Sequence, residues 1–247
     1  MPKTTGLGDQ LFVDGNNLSG DAGSIQKIGG GPAPLDVTSI DKSGFERLGG
    51  KRDGGIGFTS WFNPTGAHPV LKTLPTTDRI VTYLRGSALG APAASCVGKQ
   101  IGYDPTRSED GSLSLVVDVQ ADGFGVEWGD AMTPGLRTDT TATNGASVDF
   151  LAASTFGFQA YLQVLSVVGT SVTVTLQESS DNGGADPFAN VVGGSFTAVT
   201  PGTAPQAQRI AASPANLERY LRVVTTGTFT SAAFVVMVVR NLTATVF

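Results

Sequence analysis

The chain has one cysteine, Cys96, and one histidine, His68. A single cysteine excludes an internal disulfide, and with it the disulfide-stapled type of small secreted fold. A single histidine leaves no set of Cys and His ligands at metal-binding spacing. A Ser–His–Asp triad would have to use His68, yet no G-x-S-x-G elbow precedes a helix. Charged residues are only 15% of the chain, and they sum to −5 with a sequence pI near 4.8. That balance is unsuited to neutralising phosphates. Long apolar runs are missing too: "AAFVVMVV" at 232–239 is the longest and is far too short to span a bilayer. The opening "MPKTTGLGDQLFVDG" lacks the apolar core of a secretory signal. These absences predict a chain made in a reducing cytoplasm that does not insert into membranes.

Glycine, threonine and valine dominate what is present. There are 33 glycines among 247 residues, and hydrophobic residues make up 40%. Short Val- and Thr-rich runs punctuated by glycine predict an all-β chain. In the first half the strand candidates are "PLDVTSI", "GGIGFTSWF", "RIVTYLRG", "SCVGKQIGY" and "SLSLVVDVQ". The last alternates strictly, with Leu113, Leu115, Val117 and Val119 on one face, and "SEDGS" at 108–112 reads as the hairpin turn before it. One short helix is expected in "AHPVLKTLP", opened by Pro69, striped by Val70, Leu71 and Leu74, and closed by Pro75. In the second half "FQAYLQVLSVV", then "GT", then "SVTVTLQES" reads as an antiparallel hairpin. "GGSFTAVT", "QAQRIAAS", "RYLRVVTTG" and "AAFVVMVVRN" complete about six strands, as in a small β-sandwich or jelly roll.

Charge divides the chain. Residues 1–140 hold 28 charges, 16 of them acidic, whereas residues 141–247 hold 9 and no lysine. The shift falls in "RTDTTATNGASVD", which has linker composition, so a boundary is expected near 138–148, giving domains 1–140 and 141–247.

The candidate chemistry is thin. His68 is expected at the start of the helix, on a surface or interface, and Cys96 as a small buried hydrophobe. Paired carboxylates in "SED" at 108–110, "EWGD" at 127–130, and Asp118 with Asp122 have the residue types of a glycoside hydrolase, but turns and solvated strand faces account for them. "SSDNGGAD" lacks EF-hand spacing. "IGGGPAP" lacks the Lys-Ser/Thr and helix of a phosphate cradle. The sequons at Asn17 and Asn241 have no meaning without secretion. The expectation is therefore no enzymatic activity, no cofactor and no metal. A rival reading makes the second half a carbohydrate-binding module, with Asp181, Asn182, Asp186 and Tyr161 as its candidates.

One stretch stands apart: "IDKSGFERLGGKRDGG" at 40–55. It mixes both signs, Asp41, Glu46 and Asp53 against Lys42, Arg47, Lys51 and Arg52, among five glycines that let the backbone extend and adapt. A phosphate-binding loop would be basic alone, whereas a self-complementary contact needs both signs. These seven residues are the expected subunit interface, with a plain solvated hairpin loop as the alternative.

The order of motifs over residues 10–140 resembles that of the major tail (tail tube) proteins of long-tailed bacteriophages, most closely those of phages that infect actinobacteria. It runs "DVTSIDKSGFERLGGKRDGGIGFTSWFNP", "AHPVLKTLPTTDRIVTYLRG", then "KQIGYDPTRSEDGSLSLVVDVQADGFGVEWGDAMTPG". The second half is similar to β-sandwich modules attached to such proteins, which commonly decorate the outside of the tube. The resemblance implies a tail-tube-type β-sandwich or barrel domain with one short helix, followed by a jelly-roll-like C-terminal sandwich. It implies stacked, hexameric rings forming a hollow tube in the virion tail, assembled in the host cytoplasm, through which genomic DNA passes without specific binding. Implied partners are further copies of the chain, tape-measure and tail-terminator proteins, and a host-surface glycan for the C-terminal domain.

Overall fold

Alternation of apolar and polar side chains has only one outlet in this chain, the extended strand. The computed structural model, which describes residues 5–244, is all-β with one short helix. In chain order the elements are β1 (Gln10–Val13), β2 (Asn16–Asn17), β3 (Ala22–Gly29), β4 (Pro34–Asp36), β5 (Arg47–Gly49), β6 (Gly55–Trp61), α1 (Ala67–Leu71), β7 (Arg79–Leu84), β8 (Pro92–Arg107) and β9 (Leu113–Ala131). They continue with β10 (Arg137–Asp139), β11 (Asn144–Asp149), β12 (Phe158–Ser179), β13 (Ala189–Ser195), β14 (Gln206–Ala212) and β15 (Tyr220–Arg240).

The chain divides into two compact units, but not at 138–148. One unit takes the residues up to 20, 82–95 and everything from 128 on; the other takes 21–81 and 96–127. The expected boundary fails for a definite reason. β10 and β11, which flank the linker-like stretch, both pair with β15, from Arg137↔Phe234 to Asp149↔Tyr220, and so belong to the same unit as the C-terminal strands. Low charge and Thr/Asn/Gly composition marked a strand edge rather than a linker.

In the larger unit β12 pairs with β15 over almost its whole length, from Phe158↔Arg240 to Ser179↔Tyr220. β14 covers the other edge of its first half and β13 that of its second. The hairpin expected at Gly169–Thr170 does not form. β12 runs straight through, with bulges around Gly169, and β15 is likewise one strand where two were expected. Gly169 (φ 129°) and Gly227 (φ 115°) take backbone conformations open to glycine, and each lies so close to the facing strand that a Cβ would meet a carbonyl oxygen inside 3 Å. Glycine here bends a ladder instead of reversing it. The alternate residues Phe158, Ala160, Leu162 and Val164 join Val172, Val174, Leu176, Leu221, Val223, Phe234, Val236 and Val238 in one buried cluster. Each of the Val, Leu and Phe side chains among them stabilises the fold by about 1.5–3 kcal/mol.

The smaller unit is built on β6, which pairs with β3 on one side and β9 on the other, with β8 beyond β9. Its apolar face carries Ile56↔Val119 and Phe58↔Val117, all fully buried. The turn expected at 108–112 forms as read, with Gly111 at φ 88° and Ser108 and Ser112 hydrogen-bonded across it. The helix falls where "AHPVL" predicts it. Its first turn is supplied from outside: the Asp21 carboxylate accepts from Ala67 N at 2.8 Å and the Asn63 amide oxygen from Gly66 N at 3.1 Å. Its apolar stripe is shorter than expected, because the helix ends at Leu71 and Leu74, in a left-handed conformation at φ 41°, is exposed.

Candidate subunit-contact hairpin

Residues 30–54 of the smaller unit form a projection whose stem is backbone and whose surface is side chain. β4 and β5 pair as a two-stranded antiparallel sheet, Pro34↔Gly49, Leu35↔Leu48 and Asp36↔Arg47, joined to no other strand. The ladder extends by Val37 N to Glu46 O at 3.0 Å and Gly50 N to Ala33 O at 2.8 Å. At the stem Gly30 passes so close to Gly54 that a Cβ would sit 2.2 Å from its Cα, and both glycines have positive φ, so no other residue fits the crossing. Every residue from 31 to 49 is exposed except the half-buried Thr38. The Thr38 hydroxyl ties the loop, donating to Asp36 and accepting from Glu46 N at 2.9 Å.

The seven charged residues expected at an interface all lie on this projection. Asp41 and Lys42 are at its tip, Glu46 and Arg47 at the start of the return strand, and Lys51, Arg52 and Asp53 between it and β6. Lys42 and Glu46 form an exposed ion pair at 3.8 Å, and the Arg47 guanidinium lies 4.8 Å from the centre of the Phe45 ring. Asp53 is turned back to the body, accepting from Gly54 N at 2.7 Å and from the Gln120 amide, and these hydrogen bonds lower its pKa.

Charge was the visible part of this element, and apolar surface is the part the sequence reading missed. Leu35 and Leu48 are directly opposed, and Val37 lies two residues on, so all three share one face. The other face carries Asp36, Arg47 and Phe45. Ile40 at the tip is fully exposed, Phe45 is 72% exposed and Leu48 58%.

Behind the hairpin, the sheet of the smaller unit has a second face opposite its core. A Cβ on Gly57 would touch the side chains of Asp118 and Lys27, and one on Gly102 would touch Asp118 and Asp104, so these residues share that face. It has no side chains at Gly55 and Gly57 of β6, where Asp118 and Lys27 lie beside Gly57 and Asp104 lies beyond Gly102. β3 forms its margin, pairing among the described strands with β6 alone.

The other sequence candidates resolve into structural roles. His68, half-buried in α1, hydrogen-bonds through Nδ1 to the Tyr103 hydroxyl and packs against Phe62 with ring centres 4.7 Å apart. Cys96 is fully buried, and burial pushes its thiol up to about 12. Among the described residues no group of three or more His, Cys, Asp and Glu is placed to hold a metal ion. Of the sugar-site candidates, Asp181, Asn182 and Asp186 share one exposed loop, where Asp181 accepts from Gly184 N, Ala185 N and Asp186 N and Asn182 accepts from Ser147, but Tyr161 does not join them: it is fully buried in β12, its hydroxyl accepting from Arg209 Nε at 3.0 Å. Tyr161 belongs to an unforeseen buried polar face of β12. There Gln163 accepts from Gly15 N at 2.6 Å and donates to Thr82, which bonds Ser95. The signal was present as Gln159 and Gln163, four residues apart in the mostly apolar first part of the strand.

Fold and surface together define an all-β protein of two units, one of which carries a neutral, apolar-faced hairpin. No family model matches the chain, and no curated protein matches it. Among solved structures it is similar to the Dit protein of SPP1, described as a paradigm of the hub adsorption apparatus in phages infecting Gram-positive bacteria, with 14% identity, 94% of this chain and 98% of that one covered, and a TM-score of 0.35. It is also similar to a chain of infectious bursal disease virus strain Gx, with 9% identity over 94% of this chain and 67% of that one, at a TM-score of 0.20. Both overlaps are loose, and neither assigns a role.

Proposed function

We propose that this chain is a structural protein of a bacteriophage tail whose copies close into rings, six to a ring, that stack into a hollow tube for DNA. The proposal starts from the motif order over residues 10–140. The observation that carries it is the sheet of the smaller unit, with its free margin at β3 and its carboxylate-bearing face. A free strand margin is an aggregation hazard unless something pairs with it, and closing the sheet with a neighbouring copy removes the hazard and makes a barrel wall. A wall that carries Asp104 and Asp118 beside Lys27 disfavours tight phosphate binding, which lets DNA slide past it. Head-to-tail contacts between unlike patches close copies into a ring, and a second such contact along the axis stacks the rings without limit. In this reading the role is assembly rather than catalysis, and tape-measure and tail-terminator proteins set the length of the tube.

Negative-stain electron microscopy of the purified chain, over a range of concentration and salt, tests the reading. Stacked rings or hollow tubes are the expected result. Monodisperse monomers under every condition would overturn self-assembly as the chain's own property.

A further inference from the structure

We propose that the apolar face of the β4–β5 hairpin, Leu35, Val37 and Leu48 with Ile40 at the tip, seats on a second copy of this chain. The inference rests on the assembly reading and deepens it by naming which side chains make the contact and what kind of contact it is.

Three observations converge. The first is solvation. Four large aliphatic side chains on one two-stranded element keep about half or more of their surface in water, and exposed apolar surface grouped in this way is the mark of a binding surface. The second is the element's own weakness. A two-stranded hairpin with no third strand is only marginally stable in water, so this one is completed by a partner that covers its face. The third is charge, and it selects the partner. Between 36 and 53 the hairpin carries four acids (Asp36, Asp41, Glu46, Asp53) and four bases (Lys42, Arg47, Lys51, Arg52), so it is neutral, and the remainder of the chain holds the whole −5. Two copies repel each other through their bodies, and the neutral hairpin is the projection that approaches an acidic copy without repulsion. A nucleic acid would require an excess of bases here, and a strongly basic partner an excess of acids. Phe45 stays outside the contact because it lies beside Arg47, away from the face that carries Leu35 and Leu48. The contact is therefore driven by aliphatic burial, with the charges keeping the approach neutral rather than supplying the attraction.

The test compares the wild-type chain with Leu35→Ser/Leu48→Ser and, separately, Ile40→Asp, by sedimentation velocity over a hundredfold range of concentration at low salt and at about 1 M salt, where exposed ion pairs are screened. All three substituted residues are solvent-exposed, so circular dichroism and thermal midpoint are expected to match wild type. Wild-type assembly is expected to persist at high salt, and both variants to need at least tenfold more protein to assemble. If wild type assembles and both folded variants assemble equally well, the hairpin face is not the contact and the assembly reading stands without it. If wild-type assembly dissolves at high salt, the contact is ionic and this inference fails. If wild type never assembles, the assembly reading and this inference fall together.

Discussion

Guanidinium groups in the larger unit are held, residue by residue, against something flat or anionic. Past residue 140 the only basic residues are Arg209, Arg219, Arg222 and Arg240, and each lies over a ring: Tyr161, Tyr220, Phe188 and Phe150, with Arg222 the closest at 4.0 Å. Arg137 stacks on Phe234 and also grips Asp139 through two hydrogen bonds of 2.7 and 2.8 Å, in a nearly buried pair that Thr225 completes. Planarity is what lets one arginine do both, and a lysine at these positions could not. Arg219 makes the exposed version of the same fork on Asp149 and holds that carboxyl down to about 2. The depressed value sets the sign of its pH dependence. The carboxylate's contribution is complete above the ordinary value of 3.8 and is lost as the pH falls through about 2. An NMR titration should place Asp149 near 2 in the wild type, and Arg219→Gln should return it toward 3.8. A midpoint unmoved by that substitution would mean that Leu151 N, and not the guanidinium, holds it. Because the pair is solvated, the thermal midpoint should barely change.

At the scale of elements, the hairpin makes a claim about charge that complements its apolar face. Reversing two bases, as Arg47→Glu with Arg52→Glu, turns a neutral projection into one of charge −4 facing acidic neighbours. Assembly at low salt should slow by an order of magnitude or more and recover as salt rises, because screening removes repulsion between exposed charges. A defect that ignores salt would point instead to lost packing. The contrast between charge and apolarity also marks what was legible in the sequence. Strands with strict alternation, such as Leu113 to Val119, and the turn at 108–112 were readable because one face of the sheet is core and the other is not. The charged run at 40–55 was visible for a different reason, that dense charge marks a segment exposed over most of its length. Leu35, Val37 and Leu48 were not, because an alternating apolar pattern looks identical whether its face meets a core or water. β12 and β15 were cut in two because Gly169 and Gly227 carry the composition of a turn, and only the facing strand determines that each is a bulge. β1 and β2 were passed over since Asp14 and Gly15, at φ 47° and 77°, make a two-residue turn between strands too short to show a period. The domain boundary was misplaced because the pairing of β10 and β11 to β15, from Arg137↔Phe234 to Asp149↔Tyr220, joins residues far apart in sequence and leaves no local trace.

At the scale of the whole molecule, charge is unevenly spread: the stretch 36–53 is neutral, and the rest of the chain holds the whole −5. The single thiol adds a practical property. Cys96 lies in β8 with no exposed surface, and its thiol is pushed up to about 12, so at neutral pH it is both shielded and protonated. Modification by a thiol reagent therefore waits for β8 to open. Mass spectrometry should find the native chain unlabelled over a period in which the chain in denaturant labels completely, and rapid labelling of the native chain would show that β8 frays. The protein thus carries a built-in clock for its own breathing, in which one sulfur atom reports how often its strand lets go.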